Sequence, residues 1–171
     1  LVYRRGSLER DLDEYFELSR ATGLIVIRDG KIVFERYGHG ADETSLFTSM
    51  SVAKSIVSTL VGIAIDEGLI GSVEDPIDRY VPALAGTGYE GVPIEAVLQM
   101  SSGIRFVEDY SAANSDIERL WLETVAYRTK RLNDFVAEME RVRPPFDDFD
   151  YKSIDTAALG WLVTEVTGKT L

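Results

Sequence analysis

The stretch from Val52 to Glu67 constrains the fold most, because it is apolar on nearly all sides. A helix with that pattern lies inside a protein rather than on its surface, and Gly68 follows where a C-cap glycine is expected. Two polar residues open the stretch, Ser51 and Lys54, and side chains three residues apart meet on one face of a helix. The sequence therefore predicts a buried helix with a serine and a lysine in contact at its start.

A hydroxyl beside an amine is the arrangement of an activated nucleophile. We interpret Ser51 as the nucleophile and Lys54 as its base. Burial of an unpaired ammonium is costly and favours the neutral amine that a base must be, and the N-terminus of a helix favours negative charge developing at Ser51. Serine and lysine at this spacing are also common on solvated helices, so the pair needs support from the rest of the chain.

Composition narrows the classes of function. The 171 residues are 45% hydrophobic, enough for the core of one domain or of part of a larger one, and carry a net charge of -11. That charge repels phosphates and anionic membrane surfaces, so a nucleic-acid role is disfavoured. Cysteine is absent, which excludes disulfides and thiolate metal sites. No apolar run approaches the roughly 20 residues of a membrane span.

Localisation stays open between cytoplasmic and exported. The first residues do not read as a signal peptide, but the chain begins with Leu1, so a leader can simply be missing. The oligomeric state is equally open.

Residues 1–45 are predicted to form a helix and a hairpin. The spacing of Leu8, Leu12, Tyr15 and Phe16 indicates an amphipathic helix that starts after Ser7 and ends near residues 22–23. Asp29-Gly30 between two β-branched runs, residues 24–27 and 31–35, predicts a β-hairpin.

The loop that follows, residues 37–45, contains the sole histidine, His39. It reads most simply as a solvated loop residue. A Ser-His pair would also need an orienting carboxylate, and nothing local supplies a recognisable one.

Residues 46–171 are predicted to be mostly helical, and they carry the chemistry. Beyond the first helix we expect an extended connector over 74–82, helices over 93–100, 115–127 and 132–142, a loop over 104–113, and a last helix capped by Ser153 or Asp155 and closed by Gly168. Two strands cannot form a stable sheet alone, so further strands should come from elsewhere.

Five stretches in this order resemble the serine β-lactamase and penicillin-binding-protein superfamily, whose Ser-x-x-Lys motif is represented by Ser51-Val52-Ala53-Lys54. The others are the hairpin over 23–38, Glu67-Gly68-Leu69-Ile70 with Asp75-Pro76, Leu98-Gln99-Met100-Ser101-Ser102-Gly103, and Tyr151-Lys152-Ser153 with its following helix. The chain looks most like the class C branch, and especially its 6-aminohexanoate-dimer hydrolase-like and esterase members. Two details favour that subgroup: Ser153 where class C β-lactamases have asparagine, and the loop from Gly103 to Tyr110.

The resemblance implies an α+β fold in which an antiparallel sheet is flanked by helices beside an all-helical region. It makes Ser51 the acylated nucleophile, Lys54 its base and Tyr151 the proton shuttle to the leaving group, with Ser153 in the supporting hydrogen-bond network. Tyr110 matches a loop tyrosine that closes over the substrate amide. The implied partner is a small-molecule amide or ester, with no metal or organic cofactor.

Members of the superfamily are longer than this chain, and their third motif, a Lys-Thr-Gly or His-x-Gly segment on a strand, is expected beyond residue 171. Gly168-Lys169-Thr170 is not that motif, because it directly follows the last helix. We therefore expect the N-terminal part of one catalytic unit, lacking the C-terminal strands and helix. The alternative is a catalytically incompetent fragment or a sensor-like member that binds an acyl ligand without turnover. A purely structural helical module would not explain the lysine that opens an apolar helix.

Overall fold

The computed structural model describes residues 2–171. The chain divides into two compact units, one that ends at Ser49 and one that spans Met50–Leu171. The elements are helices and two small antiparallel sheets, which agrees with the predicted α+β class.

The first unit opens with a hairpin of β1 (Val2–Arg5) and β2 (Leu8–Asp11), followed by α1 (Leu12–Ser19). The predicted helix start after Ser7 is therefore wrong. Gly6 adopts a left-handed φ of 64° that allows the turn of this hairpin. Asp11 and Glu14 then form a reciprocal capping box, which starts the helix at Leu12.

The second hairpin, β3 (Gly23–Arg28) with β4 (Lys31–Tyr37), is confirmed. Asp29 and Gly30 both have positive φ, 51° and 74°, as a two-residue type I′ turn requires. In the loop beyond it, Nε2 of the exposed His39 lies 3.1 Å from the carbonyl oxygen of Phe16.

The second unit contains five α-helices: α2 (Val52–Asp66), α3 (Ile94–Leu98), α4 (Asp116–Leu120), α5 (Leu132–Ala137) and α6 (Ser153–Thr167). A π-helical segment, Trp121–Ala126, continues α4, and short 3₁₀ turns occur at Ile77–Arg79 and Pro82–Leu84. Helix α6 packs against α2, α3 and α5 and is the centre of the core. No helix within residues 2–171 has both the length and the apolarity needed to cross a membrane.

Helix α2 runs almost as predicted, but its expected burial is wrong. Only Val61 and Ala64 are buried, whereas Val52 is 66% exposed and Ile56 59% exposed. An apolar surface on all sides allows a helix to be buried, but the contacts with other elements determine which of its faces is covered. Among the described residues, α6 covers one side of α2. Lys54 is consequently half-buried, so the full desolvation expected for its ammonium is not observed.

Two further segments differ from the prediction. The connector over 74–82 folds into the 3₁₀ turns, which bury Ile77. The helix predicted over 132–142 ends at Ala137, because the following residues pair with the chain near Gly103. The N–H of Val142 donates to the carbonyl of Gly103 at 3.0 Å. A β-carbon at position 103 would stand 2.1 Å from the Arg143 carbonyl oxygen, so only glycine fits there.

Candidate active site

The structure brings Ser51, Lys54 and Tyr151 together within the second unit. Lys54 Nζ donates to Ser51 Oγ at 3.0 Å, as their spacing on the helix predicts. The Tyr151 hydroxyl reaches the same Oγ at 2.7 Å although it lies 100 residues further along the chain. Lys54 Nζ also lies 5.2 Å from the centre of the Tyr151 ring. One hydroxyl is thus flanked by two groups that can accept or donate a proton.

Ser51 occupies the N-cap position of α2, so its side chain stands at the positive end of the helix. The residue before it, Met50, has a φ of 45°, which is uncommon for a side chain other than Gly, Asn or Asp. The Met50 carbonyl accepts the N–H of Ala53 at 3.1 Å. This tight turn directs the chain into the helix and presents Ser51 at its tip.

Tyr151 is held by a segment without regular structure that is tied to the end of α3. The N–H of Asp150 donates to the Met100 carbonyl at 3.0 Å, and that of Phe146 to the Ser101 carbonyl at 2.8 Å. The next residue, Lys152, is 2% exposed. Its ammonium donates to the Ile104 carbonyl at 2.7 Å and pairs with the Asp150 carboxylate at 3.1 Å. These bonds fix the backbone on both sides of Tyr151, whose side chain stays 40% exposed.

The environment of Tyr151 favours its phenolate. Hydrogen bonding with Ser51 and then with Lys54 lowers the pKa of Tyr151, together with the charge of Lys54. Partial desolvation and the negative charge of Glu108 act in the opposite direction. A tyrosine with a lowered pKa exchanges a proton nearer to neutral pH than an ordinary one.

Ser153 and Tyr110, both predicted as substrate-binding residues, meet at one carboxylate beside this centre. Oε1 of Glu108 accepts the Tyr110 hydroxyl and the Ser153 hydroxyl, each at 2.7 Å. Oε2 accepts the backbone N–H of Ser153. The Tyr110 side chain is 77% exposed. Glu108 lies in the loop predicted over 104–113, and nothing in its spacing to Ser153 indicates the contact.

Neither predicted cap of α6 is correct: the helix begins at Ser153, and its N-cap residue is Lys152, whose side chain makes no capping hydrogen bond. Asp155 instead lies inside the helix. It is fully buried, and Oδ1 accepts the hydroxyls of Tyr89 and Ser102, each at 2.8 Å. Burial raises the pKa of Asp155 to about 6. The three residues, which we call the Asp155 cluster, lie under the start of α6 and were not found from the sequence. An aspartate on the inner face of an apolar helix was the available signal.

A cavity of about 340 Å³ lies beside Lys54, between the start of α2 and one face of α6. Lys54 and Ser153 are among its polar groups, and Leu132, Ala157 and Trp161 contribute apolar surface. Within residues 2–171, no group of three or more His, Asp or Glu side chains is arranged to hold a metal ion.

Comparison with known proteins decides the family. The model of the Beta-lactamase family matches residues 12–171. The chain belongs to the Beta-lactamase family. It is 33% identical over 163 residues to a 6-aminohexanoate-dimer hydrolase of Paenarthrobacter ureafaciens, a match that covers 92% of this chain and 41% of that protein. The predicted resemblance is thereby confirmed.

Solved structures share the β-lactamase-like fold. A candidate 6-aminohexanoate-dimer hydrolase from Bacillus anthracis superposes with a TM-score of 0.85 at 23% identity, covering 98% of this chain and 46% of that one. The D-alanine carboxypeptidase AmpC of Burkholderia cenocepacia gives a TM-score of 0.65 at 19% identity, covering 92% and 42%. The chain therefore spans less than half the length of each of these relatives.

Proposed function

We propose that the chain carries the Ser51 centre of a serine hydrolase that acts on amide or ester bonds through an acyl-enzyme. The observation that supports this best is the Ser51 hydroxyl between Lys54 Nζ, at 3.0 Å, and the Tyr151 hydroxyl, at 2.7 Å. A nucleophile within hydrogen-bond reach of its base is the signature of covalent catalysis. Membership of the Beta-lactamase family agrees with hydrolase chemistry.

In the first step, Ser51 Oγ attacks the carbonyl carbon of the substrate and its proton passes to Nζ of Lys54. The carbonyl oxygen of the tetrahedral intermediate becomes negative and is stabilised by backbone N–H groups, among them that of Ser51 at the start of α2. The carbon–nitrogen or carbon–oxygen bond then breaks, and Tyr151 delivers a proton to the departing group while taking up the proton that Lys54 received from Ser51. Water hydrolyses the acyl-Ser51 ester and restores the hydroxyl.

The substrate is a small molecule that reaches Ser51 from the side of Tyr110 and Ser153. The named substrate of the Paenarthrobacter relative, a 6-aminohexanoate dimer, makes a linear amide the first compound to test. A panel of chromogenic esters, a cephalosporin and an aminohexanoate dimer would separate esterase, β-lactamase and amidase activity.

The proposal is tested by labelling the full-length protein with a fluorophosphonate probe and locating the adduct by mass spectrometry. We expect one adduct, on Ser51, and none in Ser51→Ala. Ser58→Ala serves as the matched control, because Ser58 lies on the same helix and its hydroxyl bonds only a backbone carbonyl, that of Ser55, at 2.9 Å. Equal labelling of the wild type and Ser51→Ala would overturn the proposal.

Turnover separates hydrolysis from the alternative of acyl-ligand binding. A hydrolase converts many ester molecules at each Ser51, whereas a binding protein stops after one acyl group per Ser51. A burst of one equivalent with no steady state would favour the binding function.

A further inference from the structure

Glu108 makes more contacts to the candidate site than its position in an irregular loop suggests. Its carboxylate accepts three hydrogen bonds, from the Tyr110 hydroxyl, the Ser153 hydroxyl and the Ser153 backbone N–H. The side chain is half-buried. None of the roles proposed above for Ser51, Lys54 and Tyr151 uses it.

The contact with Ser153 connects two parts of the chain. Ser153 is the first residue of α6, so its N–H is one of the groups that the helix itself leaves without a partner. A carboxylate is the favoured partner at that end of a helix. Glu108 therefore anchors the loop over 104–113 to the residue that lies two positions after Tyr151.

The contact with Tyr110 orients a side chain that packing alone does not hold. The Tyr110 ring is largely exposed, and its hydroxyl donates to Glu108. Charge-assisted bonds of this kind are about twice as strong as bonds between neutral groups. The bond keeps the Tyr110 hydroxyl beside Ser153 and so on the same side as the nucleophile.

We propose that Glu108 is a positioning residue of the Ser51 centre: its carboxylate holds Tyr110 and Ser153 at the site and lies close to Tyr151. The proposal rests on the function proposed above where it concerns catalysis. Its structural part, the effect of Glu108 on Tyr151, stands without turnover.

The charge has a defined sign and a defined target. Tyr151 faces Lys54 of α2, which favours the phenolate, and Glu108 of the loop, which disfavours it; the Tyr110 phenol lies near both. Removing the charge of Glu108 therefore lowers the pKa of Tyr151 further. Removing the Glu108 carboxylate also releases the Tyr110 hydroxyl. The hydrogen bond to Glu108 is the main cause of the raised pKa of Tyr110.

The test compares Glu108→Gln, Glu108→Asp and Asp109→Asn in the full-length protein. Glu108→Gln removes the charge but keeps the size, and Glu108→Asp keeps the charge but shortens the reach. Asp109→Asn removes one charge from the neighbouring residue, whose Oδ1 accepts only from the Ser111 N–H and hydroxyl. Titration of ¹³Cζ-labelled tyrosine, with Tyr151→Phe to assign the signal, measures the Tyr151 midpoint without any substrate.

We expect the Tyr151 midpoint to move to lower pH in Glu108→Gln and to stay near the wild-type value in Glu108→Asp and Asp109→Asn. In turnover, both Glu108 variants should lose about tenfold in kcat/KM through misplaced Tyr110 and Ser153, with Asp109→Asn unchanged. The Tyr151 limb of the pH–rate profile should shift only in Glu108→Gln. A purely structural Glu108 would lower stability in both variants and move neither midpoint.

Two results separate this proposal from the proposed function. In the first, the fluorophosphonate labels Ser51, but the Tyr151 midpoint is the same in Glu108→Gln as in Asp109→Asn. The role of Glu108 is then refuted and the hydrolase proposal stands. If Ser51 is not labelled but the midpoint moves in Glu108→Gln alone, the charge effect stands and the hydrolase proposal fails.

Discussion

Two polar clusters lie near the first turn of α6, and they differ mainly in burial. Ser51, Lys54 and Tyr151 form the accessible one, in which Ser51 is exposed and Tyr151 is 40% exposed. Asp155 with Tyr89 and Ser102 forms the other, and all three of its residues are 0% exposed. Their hydrogen-bond lengths are similar, 2.7 to 3.0 Å in the first and 2.8 to 2.9 Å in the second.

The difference teaches that burial, rather than residue type, separates a candidate for chemistry from a structural network. Water can replace each partner in the accessible cluster, so its bonds contribute little to folding but leave Ser51 free to meet a substrate. In the buried cluster water cannot replace a lost partner, so a polar group left without a hydrogen bond lowers stability by its full desolvation penalty. We therefore expect substitutions in the first cluster to act on turnover and those in the second to act on stability.

The largest effect is expected for Lys54→Ala. Without its amine the Ser51 proton has no nearby acceptor on α2, so kcat/KM should fall by about 10³- to 10⁴-fold, while the free energy of unfolding changes by less than about 1 kcal/mol. Steady-state ester hydrolysis and urea denaturation measure the two. Lys169→Ala, at an exposed position, is the control. A loss of stability in Lys54→Ala large enough to account for its loss of turnover would contradict the comparison.

Tyr151→Phe should have the next largest effect. Loss of the hydroxyl removes the hydrogen bond to Ser51 and the proton for the leaving group. We therefore expect kcat to fall by about 10²- to 10³-fold. The loss should shrink for esters with good leaving groups, which depart without a proton. Tyr127→Phe, 71% exposed, serves as the control. A uniform loss over all leaving groups would remove Tyr151 from the role of proton donor.

Asp155→Ala should act in the opposite way. It leaves two buried hydroxyls, those of Tyr89 and Ser102, without their acceptor, at about 1–3 kcal/mol each. We expect unfolding to become easier by about 3 kcal/mol, with kcat per folded molecule changed much less than in Tyr151→Phe. Denaturation with parallel active-site titration measures both. Asp66→Ala, at the exposed end of α2, should be close to neutral.

The smallest effect is the pH dependence of stability that Asp155 produces. Its pKa is raised from 3.8 to about 6 in the folded state, so folding favours the protonated acid. The contribution is fully present below about pH 4 and is lost as the pH rises through 6, by up to roughly 2–3 kcal/mol. The difference in unfolding free energy between the wild type and Asp155→Asn should follow this course. A difference that is constant from pH 4 to 7 would show that Asp155 does not titrate in this range.

Much of the local structure could be predicted because it depends on neighbours in sequence. The turn at Asp29-Gly30, the course of α2 and the contact of Lys54 with Ser51 each follow from residues within a few positions of one another. The predicted helix bounds were wrong where a contact between residues far apart in sequence replaced the local helical pattern. The helix predicted to reach Val142 stops at Ala137 because later residues pair with Gly103, and the first helix starts late because residues 8–11 pair with residues 2–5.

The sequence by itself determined that a serine and a lysine would touch at the start of an apolar helix, since helical geometry fixes side chains three apart. Only the tertiary structure decided that this helix is covered on one face, that Tyr151 arrives from 100 residues away, and that Asp155 faces inward to Tyr89 and Ser102. Those outcomes depend on packing of α6 against α2 and α3. Packing sums many weak contacts over the whole unit, so no local pattern of residues encodes it.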